Sequence, residues 1–414
     1  MREEIIANLH NPHRLELLYR NDKPLFKKEF NLIYQEINAN AAAQVWHERL
    51  NYEKEDLDWG TAAERIMVVA LSFLAGLVAK IPAFTSLSED FFYQRNISFI
   101  LFPFLIVYFS WKLKTPVRKI LLVLAVLLIA AAFINFLPDA KDSDTVILTC
   151  IHLPLFGWAL LGIVFTGDKF HDYQKRLEFL RYNGDLAVMT AIILIAGGML
   201  SAVTIGLFEL IDIKIEKFYT QYIVVWGLAA APVVGTYLVQ TNPQLVNKVS
   251  PVVARVFTPL VLIMLVIYLI AVIGTGKDPY NDREFLFIFN LLLAGVMAII
   301  LFSIAGISKI SGSSAGIFLL AALSVVTILV NGVALSAILF RIFEYGITPN
   351  RLAVSVGNIL ILSNLSVIAF RLYRSVKNKT NLQSAEQSIA GFLPVYVLWT
   401  MVVAFIFPLV FGFK

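Results

Sequence analysis

The sequence predicts an all-α fold: a polytopic transmembrane helical bundle of about eleven spans, preceded by a short N-terminal cytoplasmic helical region. Three observations predict it. The 414 residues are 58% hydrophobic and 15% charged, whereas soluble domains run near 45–50% apolar and about 25% charged. The mean hydropathy is +0.76. The apolar excess falls into blocks of roughly 20 residues, the length at which a helix crosses a hydrocarbon core of about 30 Å. Lipid offers no partner to unpaired backbone groups, which excludes open sheets. Long continuous apolar runs, in place of weak alternation, argue against a membrane barrel.

Residues 1–60 form the first region, and 64–412 the transmembrane domain. Met1-Arg2-Glu3-Glu4 leads into mostly polar residues, unlike a signal peptide, whose apolar core lies close to its start. Asn11-Pro12 opens a helix carrying Leu15, Leu17, Leu18 and Tyr19. Asp22 then caps a second, with Pro24 in its first turn. That helix places Phe26, Phe30, Ile33 and Ile37 on one stripe. A third, around Ala41–Glu55, offers Val45, Trp46 and Leu50. About sixty residues make a marginal independent core, so these helices are expected to lean on the membrane domain. They form a cytoplasmic cap, or a docking unit for a cytoplasmic protein partner.

The spans read as 64–84, 94–111, 119–138, 146–166, 185–209, 218–240, 252–275, 285–308, 315–341, 351–371 and 392–412. With the N-terminus in the cytoplasm, 24 of the 34 Lys and Arg residues fall on inside segments, as the positive-inside rule requires. The C-terminus then lies outside. The net charge of +5 is this loop asymmetry and not a nucleic-acid footprint. Lys175, Arg176 and Arg181 are expected to hold anionic lipid headgroups on the cytoplasmic side. Prolines 154, 232, 259, 394 and 408 interrupt spans, where each removes a backbone hydrogen bond. Gly198, Ala202 and Gly206 recur every fourth residue, as do Gly227, Ala231 and Gly235. The two rows predict a tight antiparallel hairpin of small faces, with dimerisation through one face as the alternative.

Signatures of chemistry are sparse. No phosphate loop, zinc helix or nucleophile elbow is present. The lone Cys150 allows neither an internal disulfide nor a cysteine metal cluster. No cofactor, metal or catalytic residue is therefore expected. What remains is polar residues within spans, which are costly in lipid and usually face a bundle interior or a wet cavity. His152, Glu209, Asn290 and Asn331 are the candidate ligand-binding residues, with Asn135, Gln221, Trp226 and Asn358 at similar depth. The charged run 276–284 roofs them in this reading, and Arg283 shares a helix face with Phe287 and Asn290. Arginine there suits an anionic headgroup or carboxylate. Equally, Arg283 serves as an interfacial anchor, and the span residues as ordinary interhelical hydrogen bonds worth about 1 kcal/mol each.

The run 11–24, Asn-Pro-His-Arg-Leu-Glu-Leu-Leu-Tyr-Arg-Asn-Asp-Lys-Pro, with Phe26–Tyr34 and Gly276–Asn290, resembles a family of uncharacterised bacterial multi-pass membrane proteins of Bacteroidetes-type genomes, grouped by a domain of unknown function. The resemblance covers essentially the whole chain. It implies a bacterial inner-membrane location and carries over no catalytic residue, cofactor or substrate.

Span count, broken helices and intramembrane polar residues point to a transporter- or permease-like protein with a polar cavity in the outer half of the membrane. Two alternatives stay open: an integral-membrane enzyme acting on lipid or envelope substrates, and a non-catalytic sensor or assembly component.

Overall fold

The computed structural model describes residues 2–51, 58–138, 143–243, 249–275, 283–307, 314–378 and 383–413. Every regular element among them is helical. The chain divides into two units, Met1–Trp59 and Gly60–Lys414.

Among the described residues, the N-terminal unit holds four helices: α1 (Arg2–Ala7), α2 (Pro12–Asn21), α3 (Lys23–Ile37) and α4 (Ala41–Asn51). Asn11 caps α2 by accepting from the Arg14 amide, and Asp22 caps α3 by accepting from that of Leu25. Each side chain satisfies a first-turn N–H that has no helical partner. The stripe Phe26, Phe30, Ile33 and Ile37 is buried against Leu15, Leu18, Trp46 and Leu50. Val45, expected in this core, is 67% exposed, because Trp46 beside it on α4 takes the inward position. Ile5 and Leu9, near α1, complete the apolar cluster. Arg49 lies over the Tyr19 and Trp46 rings. Hydrogen bonds from Arg20 and Arg49 hold the Glu16 carboxyl below the usual carboxylate range.

The second unit contains the long apolar helices: α5 (Ala62–Ala79), α6 (Glu89–Lys112), α7 (Val117–Phe136), α8 (Asp144–Thr166), α9 (Tyr173–Glu209), α10 (Val225–Thr241), α11 (Val249–Thr275), α12 (Arg283–Ile307), α13 (Ser314–Tyr345), α14 (Pro349–Asn378) and α15 (Gln383–Met401). Among the described residues, nine segments are long and apolar enough to cross a membrane. The predicted seventh and eighth spans fall on α11 and α12, helices of 27 and 25 residues, within which Phe257–Ile270 and Phe289–Ile304 are apolar among the described residues. Short π-helical turns, Tyr219–Val224 and Val402–Ile406, precede α10 and follow α15.

α5 and α10 pack antiparallel in one register. Lys80, which ends α5, reaches the Gln221 carbonyl, Gly76 lies under the Trp226 indole, and Gly60 lies against Thr241. The predicted hairpin of small faces needs correction. α9 and α10 do pack together, but the close approach is Gly235 against Leu186 and Thr190. A Cβ added at Gly198, Gly206 or Gly227 would meet nothing. α9 extends past its partner there, and Ile195, Met199, Val203 and Leu207 are exposed.

The prolines of the last span show how broken backbone is made tolerable in an apolar medium. Proline has no N–H for the carbonyl four residues back, and an orphaned carbonyl in hydrocarbon costs several kcal/mol. For Pro394 that carbonyl belongs to Ala390, and Arg176 Nη1 of α9 donates to it at 2.8 Å. For Pro408 it belongs to Ala404, and Thr149 Oγ1 of α8 donates to it at 3.0 Å. An Arg176→Ala variant is expected to lose about 1–3 kcal/mol of stability. A Pro394→Ala background restores an N–H to Ala390, so the same substitution costs less there. Thermal unfolding in detergent of the four proteins checks this; equal losses in both backgrounds would refute the role.

Candidate functional site

The polar interior sorts into clusters, each assembled from residues distant in sequence. The first lies where α5 begins and α6 ends. Thr61 caps α5, its side chain accepting from the Glu64 amide, and so places the Glu64 carboxylate in the first turn. Tyr108 donates to Glu64 Oε1 at 2.8 Å and Lys112 Nζ at 3.0 Å. Across the same end, Arg181 of α9 pairs with Glu386 of α15 at 3.6 Å. Arg176 donates to the carbonyls of Phe170 and Ala390, and Lys175 pairs with Glu178. This basic group, expected to hold lipid headgroups, makes contacts within the protein.

At the opposite end, Arg95 is buried. It donates to the carbonyls of Ile134, Leu137 and Pro138, which close the C-terminus of α7. The last carbonyls of a helix lack helical partners and carry partial negative charge, so the guanidinium suits them. Asn96 and Asn135 exchange reciprocal amide hydrogen bonds beside it. Lys80 is buried with its ammonium on the Gln221 carbonyl and over the Tyr222 ring, 4.7 Å from its centroid.

The third cluster lies between α12, α13 and α14. Asn358 Nδ2 donates to Asn290 Oδ1 at 2.8 Å. Asn331 Nδ2 donates to the Asn358 carbonyl at 3.1 Å. Asn331 is 0% exposed, and its Oδ1 is buried without a hydrogen-bond partner among the described residues. Ser355 Oγ, one turn before Asn358, is likewise buried and unpartnered among them.

Of the five residues singled out from sequence, the structure thus brings Asn290 and Asn331 together, through Asn358. His152 is elsewhere: its Nδ1 lies 2.8 Å from the Leu148 carbonyl, one turn back on its own helix. A carbonyl only accepts, so Nδ1 carries the proton. Glu209 ends α9 and is exposed. Arg283 opens α12; its side chain and the 276–282 run lie outside the described residues.

Sequence reasoning passed over Glu64, Lys80, Arg95 and Asn96. The signals were present. Thr61-x-x-Glu64 before an apolar run is a capping-box pattern, and Lys80 and Arg95 are charges inside predicted spans. Their partners are not sequence neighbours, which is why the pattern alone was silent.

Comparison with known protein families, curated proteins and solved structures finds no match to the chain. Its own helices define its class. Nine membrane-length apolar helices among the described residues, with buried polar clusters between them, make a polytopic α-helical membrane protein.

Proposed function

We propose that this protein is a permease-like transporter whose polar path runs along the α12–α13–α14 interface, with Asn331 at its centre. One observation carries the reading. A fully buried amide in the middle of an apolar helix has an oxygen with no partner among the described residues. Burying an unsatisfied polar group costs about 1–3 kcal/mol, and intramembrane polar residues mark solute and ion pathways. Asn290 and Asn358 continue the polar line toward the end of the bundle where α12 and α14 begin. The Lys and Arg distribution assigns that end to the outside and the N-terminus to the cytoplasm. A bacterial inner membrane is the location proposed with it, on the resemblance of residues 11–34 and 276–290.

Cys150 is the sole cysteine, so a Cys150→Ser background permits a direct test. Asn331→Cys, in sealed vesicles, is expected to react with a small charged thiosulfonate. Leu323→Cys, equally buried on the same helix, is expected to stay unreactive. Equal protection of both positions would remove the water-accessible path and the transport reading with it.

A further inference from the structure

The α13–α14 cluster has a chemical bias that names a ligand class. Asn331 Nδ2 and Asn358 Nδ2 each donate a hydrogen bond inside the bundle. Ser324 and Thr327 on α13 donate to the carbonyls of Leu320 and Leu323, at 2.8 and 2.6 Å. Farther along α14, Asn364 Nδ2 donates to Tyr396 OH, which itself faces the Leu360 carbonyl. Among the described residues of α13 and α14, the buried side-chain atoms without a hydrogen-bond partner are oxygens: Asn331 Oδ1, Asn364 Oδ1 and Ser355 Oγ. The orientation of the Asn331 amide is forced by its partner, because a backbone carbonyl accepts only and the nitrogen must face it.

Buried neutral oxygens without a donor facing them have the chemistry to ligate a cation. The sequence of α13 from 316 to 340, and of α14 from 352 to 370, contains no Asp or Glu. Divalent ions are held by carboxylates, whereas carbonyl-type dipoles alone replace the hydration shell of an alkali ion. We propose that Asn331 Oδ1 centres a binding site for an alkali cation, with Ser355 Oγ, one turn before Asn358 on the facing helix α14, as a further oxygen of the site. Asn364 Oδ1 is a second oxygen of the same kind. It lies six residues along α14 from Asn358, roughly 9 Å along the helix axis. The proposal rests on the transport reading and gives it a cargo or coupling ion.

The test uses the full chain in detergent, with thermal unfolding followed in NaCl, KCl and choline chloride at equal ionic strength. A ligand that binds only the folded state raises Tm with its concentration. The expected result is a saturable rise of about 3 °C or more in one alkali salt over choline. Asn331→Ala and, should that variant fail to fold, Ser355→Ala are expected to lose the rise. Identical Tm values in all three salts would overturn the site, as would an undiminished rise in the folded variants. The two readings fail separately. Labelling of Asn331→Cys without a salt effect leaves a path for another solute. A salt effect with position 331 unreactive leaves a structural ion and removes the path.

Discussion

Replacing Glu64 by alanine is expected to destabilise the membrane unit by about 2–3 kcal/mol, because it leaves a buried hydroxyl and a partly buried ammonium without their acceptor. Glu64 is 8% exposed and holds both Tyr108 OH and Lys112 Nζ. Its loss strands an ammonium whose side chain is only 28% exposed. The Tyr108 hydroxyl beside it loses its acceptor as well. Glu64→Gln keeps an acceptor for Tyr108 but not the charge, and should fall between. A Glu64→Met, Lys112→Met double variant removes both charges and should recover much of the loss, since apolar replacement of a whole buried pair is often neutral. Thermal unfolding in detergent reads all four proteins. If Glu64→Ala melts with the wild type, the pair does not join α5 to α6.

Gly76→Ala is the second large effect. A Cβ built at Gly76 would overlap Cδ1 and Nε1 of the Trp226 indole. The indole is not a loose chain end: it is stacked on Phe73 with ring centroids 5.4 Å apart. One methyl therefore has to displace a ring or push the two helices away from each other. Overpacking of this kind costs about 1–3 kcal/mol, at times more, and this site belongs at the upper end. Trp226→Ala in the same chain removes the clash, so the double variant is expected to lie closer to Trp226→Ala alone than additivity allows. A Gly76→Ala protein as stable as the wild type would show that the register of α5 on α10 is wrong.

Much of the architecture was legible because it is local. Asn11 and Asp22 announce helix starts, since a short side-chain oxygen answers amides two or three residues ahead. The stripe Phe26, Phe30, Ile33 and Ile37 shows its buried face through helical periodicity. The apolar blocks declare a membrane class through length alone. Glycine rows were less reliable. Small residues permit close approach without requiring it, and which stretch of α9 reaches α10 depends on where neighbouring helices end. Hence Gly235 is packed while Gly198 and Gly206 are bare.

By itself, then, the sequence determined a helical, many-span membrane protein with a small capped helical unit before it. Those properties follow from hydrophobic content and contacts within a turn or two of the chain. Tertiary structure decided which polar groups meet. Asn331 could be marked as costly, but not that Asn358, 27 residues on, takes its amide. Pro394 could be marked as a breaker, but not that Arg176, 214 residues before Ala390, answers the carbonyl it frees. Such pairings depend on helix order, rotation and depth in the bundle. Those are set by the sum of many weak packing contacts, and no single stretch of residues encodes them.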